Sequence, residues 1–266
     1  MKKRVVSAIV ALIIFIPLLM YGKKPYLLGI FVLSILGLKE MIKAYETKKE
    51  VPQFIQFISY IIMTLLIFTS GNVNGLSYEV DFKLIAMLIL LYLIPVIIYQ
   101  DEKTYSILDA FFNLASLVLL GSCFSLLIIL RNISLEYIIY LFLITTITDS
   151  FAYITGSLIG KHKCIKKISP NKTWEGIIGG TFMGVFVASV FFQTVIETNM
   201  PLYFIIGMTL FLSIIGQFGD FVFSAIKRNF KIKDFSNIMP GHGGILDRFD
   251  SIFFCLLAFT FFLELI

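Results

Sequence analysis

The chain has 266 residues, 58% of them hydrophobic and only 15% charged, with a mean hydropathy of +0.93. That apolar fraction excludes an ordinary soluble domain and predicts an all-α, polytopic integral membrane protein. The three cysteines, Cys123, Cys164 and Cys255, follow no pair spacing, which argues against a disulfide framework and a zinc site.

Apolar runs of spanning length predict about nine transmembrane helices, with approximate limits 5–22, 26–42, 53–71, 83–100, 107–130, 135–159, 176–196, 202–227 and 249–266. Lys2, Lys3 and Arg4 before the first run resemble the start of a secretory signal. No small-residue cleavage pattern follows, so a retained first helix is expected. With a cytoplasmic N-terminus, 17 of the 22 basic residues fall on the cytoplasmic side, as the positive-inside rule requires. The outer side keeps Lys23, Lys24, Lys83 and Arg131. Residues 1–130 offer few motifs and read as scaffold and dimer packing. Residues 131–266 read as a catalytic region, with the cytoplasmic loops 160–176 and 228–248 facing the chemistry.

The first polar cluster, in chain order, joins a span to a loop. Asp149 sits where a lone acid is costly and calls for a cation or metal partner. Gly156 with Gly160, and Gly176 with Gly180 and Gly184, have the small-xxx-small spacing of packed helices. The loop that follows carries five lysines, Lys172 among them, with Ser169, Thr173 and Glu175, a surface receptive to phosphate or to anionic headgroups.

The second cluster is Gly216–Asp234. Read as a helix, it places Asp220, Ser224, Lys227 and Lys231 on one face. Snorkelling accounts equally for Lys227 and Arg228, but Asp220 lies inside the span and needs a partner. The third cluster, "MPGHGGILDRFDS", is rich in glycine and admits positive φ, so its backbone N–H groups can converge on an anion. Asp247 and Asp250 follow at i and i+3. Such acids amid cations either neutralise one another in a loop or hold Mg²⁺ together with substrate phosphates, and the glycines favour the second reading. No Walker A loop, paired-His zinc motif or Gly-x-Ser-x-Gly elbow occurs. Acids, bases and glycines without a nucleophile suit direct displacement at phosphorus.

Ser224-Ala-Ile-Lys227-Arg228, then Lys233-Asp234, then Pro240-Gly-His242-Gly243-Gly244-Ile-Leu-Asp247-Arg248-Phe-Asp250 closely resembles the signature of the phosphatidate cytidylyltransferase, or CDP-diacylglycerol synthase, family. Asp149-Ser-Phe-Ala-Tyr, Ser169-Pro-Asn-Lys172-Thr173-Trp-Glu175-Gly and Gln217-Phe-Gly-Asp220 resemble it too, and Asn171 stands where relatives often carry a basic residue. The resemblance covers about residues 145–255. It implies the reaction of CTP with phosphatidate to give CDP-diacylglycerol and pyrophosphate, Mg²⁺ dependence, a homodimer and room for a second, monovalent cation (K⁺). It implies metal ligation by Asp220 and Asp247.

Expected roles follow for the remaining residues. Lys227, Arg228, Lys233, Asp234, His242 and Arg248 serve catalysis. Ser169, Lys172, Thr173, Glu175, Ser224, Gly243 and Gly244 serve substrate binding, while Asp149 and Asp250 are available to orient the cations or the metal. The expected location is a bacterial-type inner or plasma membrane, among membrane lipids, with the active site facing the cytoplasm.

The main alternative is a polytopic transporter of an ion or anionic substrate, which predicts charges near midplane in two repeated halves. Here the charges of the three polar clusters lie in the second half at one face, and no repeat is visible. An intramembrane aspartyl protease is disfavoured because Gln217 occupies a required glycine position and no Tyr-Asp pair occurs. A CDP-alcohol phosphotransferase is disfavoured because the chain has no Asp-Gly dipeptide. Nucleic acid is not an expected partner, since topology accounts for the basic charge.

Overall fold

The computed structural model describes residues 13–71, 82–239, 241 and 243–266. Among them the fold is helical: α1 (13–21), α2 (Lys23–Glu46), α3 (Gln53–Ser70), α4 (Phe82–Tyr99), α5 (Ile107–Ile133), α6 (Leu135–Ile159), α7 (Trp174–Val195), α8 (Leu202–Asn229) and α9 (Leu246–Phe259). Extended pairing among the described residues is confined to two isolated bridges, Lys163 with Thr173 and Met239 with Gly243.

Among the described residues six helices, α3 to α8, are long and apolar enough to cross a membrane, against nine expected spans. Part of the first expected span, with Lys2, Lys3 and Arg4, lies outside the described residues. The second corresponds to α2, whose apolar run is broken by Lys39, Glu40 and Lys43. The last is helical for only 14 residues. After Phe259 the chain tightens into turns in which Phe261, Phe262 and Leu263 donate to carbonyls three residues back.

Local chemistry sets several boundaries. Ser134 and Thr173 cap α6 and α7, their hydroxyls accepting from the N–H of Glu136 (3.1 Å) and Gly176 (3.2 Å). The carbonyl end of α1 receives Arg131, whose Nε donates to Leu19 O at 2.6 Å and Nη2 to Met20 O at 3.0 Å. The expected polar face of α8 is cut short: the helix ends at Asn229, and Lys231 lies beyond it at φ 57°. Phe230 is drawn instead edge-on against the stacked rings of Tyr45 and Phe112, with the Lys48 ammonium 5.0 Å from its centroid.

The chain forms two compact units. The first comprises the described residues up to Ile133 together with Phe230–Asp247. Its centre is α5, whose Leu117, Leu120, Phe124 and Leu127 are fully buried where α2, α3 and α4 pack. The second comprises Ser134–Asn229 and Arg248–Ile266, with α6 and α7 as its closest pair.

The expected small-residue packing accounts for that closeness. A Cβ on Gly180 would sit 2.8 Å from Ala152 Cβ, one on Gly176 would sit 2.6 Å from the Ala152 carbonyl, and one on Gly156 would sit 3.6 Å from Gly176 Cα. Polar bonds tie α8 to the pair, Thr148 Oγ1 to Ser213 Oγ at 2.9 Å and Gln217 Nε2 to Thr181 Oγ1 at 2.7 Å.

Candidate active site

In the second unit, α6, α8, α9 and the loop before α7 bring ionised side chains together. Lys172 Nζ lies 2.5 Å from Asp220 Oδ2 and 4.6 Å from the Phe221 ring centroid, so one ammonium is held by a carboxylate and a π face. The Ser224 hydroxyl donates to Asp220 Oδ1 at 3.1 Å, one helical turn on, as the i, i+4 spacing requires. Asp149 lies within electrostatic range of Lys172, Asp220 and Arg248, beside the buried Oγ of Ser251. Asp250 lies within range of Asp220, Lys227 and Asp149. Three carboxylates thus lie within range of three cations, with Arg248 exposed and Lys227 buried. The partner that Asp149 and Asp220 each called for in the sequence is present.

The basic loop leading into this cluster is closed on itself. Cys164 N donates to Lys172 O at 3.1 Å and Trp174 N to His162 O at 2.9 Å. The Glu175 carboxylate accepts from the backbone N–H of Lys161 and His162, both at 3.2 Å, and pairs with His162 Nδ1 at 2.6 Å. Glu175 and Thr173 therefore shape the loop and cap α7. Ser169 closes a turn on Ile165 O, and Arg228 Nε reaches Ile168 O at 3.4 Å. The loop carrying Lys172 is thereby fastened to both α7 and α8.

The remaining expected residues lie in the first unit. Lys233 and Asp234 are exposed. Asp247 is buried, and its Oδ2 accepts from the N–H of Phe235 at 2.9 Å and of Gly244 at 2.8 Å. Gly243, at φ 84°, could not carry a side chain, because a Cβ would lie 2.8 Å from Asp247 Oδ2. Pro240 and the expected catalytic His242 fall outside the described residues.

The sequence reading passed over Glu40. This α2 residue is 1% exposed and accepts from Ser236 Oγ at 2.5 Å and from the N–H of Ile245 and Leu246, each at 2.9 Å. Its signal was available: an acid in an apolar helix needs donors, whichever half of the chain holds it.

Among the described residues, no group of three or more His, Cys, Asp or Glu stands at metal-holding spacing. Mg²⁺ needs only one or two protein carboxylates when substrate phosphates complete its shell. Asp220, an oxygen donor already holding an ammonium, fits that chemistry.

The chain is a member of the cytidylyltransferase family, whose sequence model matches residues 2–266, and is by that membership a nucleotidyltransferase built into a membrane protein. Among curated proteins it is similar to the phosphatidate cytidylyltransferase of Staphylococcus aureus (strain COL), with 39% identity over 259 residues, 96% of each chain. It is similar to those of Staphylococcus haemolyticus (39% over 257 residues) and Staphylococcus epidermidis (38% over 257 residues), again across 96% of both chains.

Proposed function

We propose that this chain is a phosphatidate cytidylyltransferase. A phosphate oxygen of phosphatidate attacks the α-phosphorus of CTP, the bond to the bridging oxygen breaks, and pyrophosphate leaves with CDP-diacylglycerol as the other product. The observation that carries this reading is the 39% identity, over 96% of the chain, to a protein of that name. The phosphatidate nucleophile is already anionic near neutral pH, so no strong general base is required. The task left to the protein is positioning and charge neutralisation.

The residues of the second unit suit that task. Lys172, Lys227, Arg228 and Arg248 would hold phosphate oxygens, the arginines as bidentate forks. Asp149 and Asp250 would keep those cations oriented, Ser169, Thr173 and Glu175 would shape the substrate-facing loop, and Ser224 on α8 would orient Asp220 toward the substrate. Because three carboxylates balance three of these four cations, the cluster has little surplus positive charge to offer a triphosphate.

Mg²⁺, when bound, would supply that charge as a Lewis acid. Asp220 would hold it, and the family resemblance adds Asp247; a monovalent cation such as K⁺ would be a further occupant. His242, Lys233 and Asp234 would serve the leaving pyrophosphate, with Gly243 and Gly244 approaching it closely. The enzyme would work as a homodimer among lipids of the plasma membrane, with nine spans, the N-terminus inside and the site facing the cytoplasm.

The test is reconstitution with phosphatidate and radiolabelled CTP, with and without Mg²⁺. Label should enter the lipid phase only with Mg²⁺, and Asp220→Asn should abolish transfer without impairing membrane insertion. No transfer by a folded sample would reject the reading and favour a transporter.

A further inference from the structure

The Ser236–Leu246 loop is fastened at its neck by two carboxylates. Asp247 Oδ2 joins Phe235 N to Gly244 N on one side. On the other, Glu40 Oε1 accepts from Ser236 Oγ and Ile245 N, while Oε2 accepts from Leu246 N. Each carboxylate thus holds one residue from the start of the loop and one or more from its end. Between them, Met239 N donates to Gly243 O at 3.0 Å and narrows the loop again.

Glu40 comes from α2 and is sealed from solvent, so its charge must be met by hydrogen bonds to avoid a cost of several kcal/mol. Three donors meet it. Two are backbone N–H groups at the start of α9, which have no partner within their own helix and lie at the positive end of its dipole. Such charge-assisted bonds are roughly twice as strong as neutral ones. The same carboxylate dictates a glycine: a Cβ on Gly244 would lie 2.7 Å from Glu40 Cδ. The two adjacent glycines of the loop therefore each make room for a carboxylate, Gly243 for Asp247 and Gly244 for Glu40.

We propose that Glu40 is a positioning residue: its buried carboxylate closes the neck of the Ser236–Leu246 loop and sets the start of α9 for cytidylyl transfer. The clamp stands on the geometry alone. Its catalytic consequence rests on the cytidylyltransferase reading, since α9 carries Arg248 and Asp250 onward from the clamped end. Glu40 touches no reacting atom and acts through the backbone it holds.

The test uses the full-length protein and Glu40→Gln, an isosteric change that replaces one accepting oxygen with an amide nitrogen and leaves a loop N–H without its acceptor. Displacing catalytic groups by about 1 Å costs up to roughly a hundredfold in rate. The expected result is a kcat lowered by about tenfold to a hundredfold, with KM for CTP changed by no more than about twofold and backbone hydrogen exchange faster across residues 236–246 alone. Wild-type kcat and wild-type loop exchange would overturn the proposal. So would a loss of activity with exchange accelerated throughout the chain, the mark of general destabilisation.

If Glu40→Gln does not fold, Ser236→Ala decides. It removes one donor and keeps the backbone pair, and unchanged exchange across 236–246 would overturn the clamp. Absence of transfer by the wild-type protein would count against the cytidylyltransferase reading, while the exchange measurement would still decide whether Glu40 holds the loop.

Discussion

Lys172 occupies the position in the second unit where electrostatics is most concentrated. Its ammonium pairs with Asp220, lies over Phe221 and is within range of Asp149. Lys172→Met would leave Asp220 without its paired cation, weaken the field at Asp149 and remove the phosphate contact proposed for it. Transfer should fall by about a hundredfold or more, the scale of losing one well-placed electrostatic donor. Lys172→Arg keeps the charge but not the compact ammonium and should recover only part of the rate. Initial rates at saturating CTP measure both. The pairing of Ser224 with Asp220 was legible beforehand, because both lie on one helix at i, i+4. The pairing of Lys172 with Asp220 was not, because it depends on how a loop folds back over a different helix.

At the scale of elements, glycines separate tight packing from open surface. Gly180 of α7 faces α6 so closely that a Cβ would sit 2.9 Å from Ala152 N as well as against its side chain. Gly207 of α8 has nothing within 4 Å of the same point. Gly180→Ala should cost about 1–3 kcal/mol through overpacking and lower the thermal midpoint. Gly207→Ala should be neutral, or stabilising by up to about 1 kcal/mol through helix propensity. Thermal unfolding in detergent, monitored for both variants in parallel, checks the contrast. The spacing of the α6 and α7 glycines already implied helix packing. The end of α8 at Asn229 was not implied, since the polar periodicity continues to Lys231 and only the aromatic seat of Phe230 breaks it.

At the scale of the molecule, the expected topology can be read with a native thiol. Cys164 is partly exposed in the basic loop, whereas Cys123 and Cys255 are fully buried. A membrane-impermeant maleimide should therefore label the protein in inside-out vesicles and not in intact cells, and Cys164→Ser should abolish the labelling. Labelling from the outside would reverse the orientation and place the lysine-rich loop away from the cytoplasm.

The sequence by itself determined that this is a helical membrane protein whose recognisable motifs lie in its second half, because hydropathy and helical spacing are local properties of the chain. It also carried the family signature that the full-length similarity to cytidylyltransferases bears out. Only the tertiary structure decided which groups meet. Lys172 reaches Asp220, Glu175 ties down the loop at His162, and Glu40 receives the start of α9. The reason is physical: a buried charge must find its donors wherever the fold brings them, and linear spacing carries no record of partners supplied by another helix.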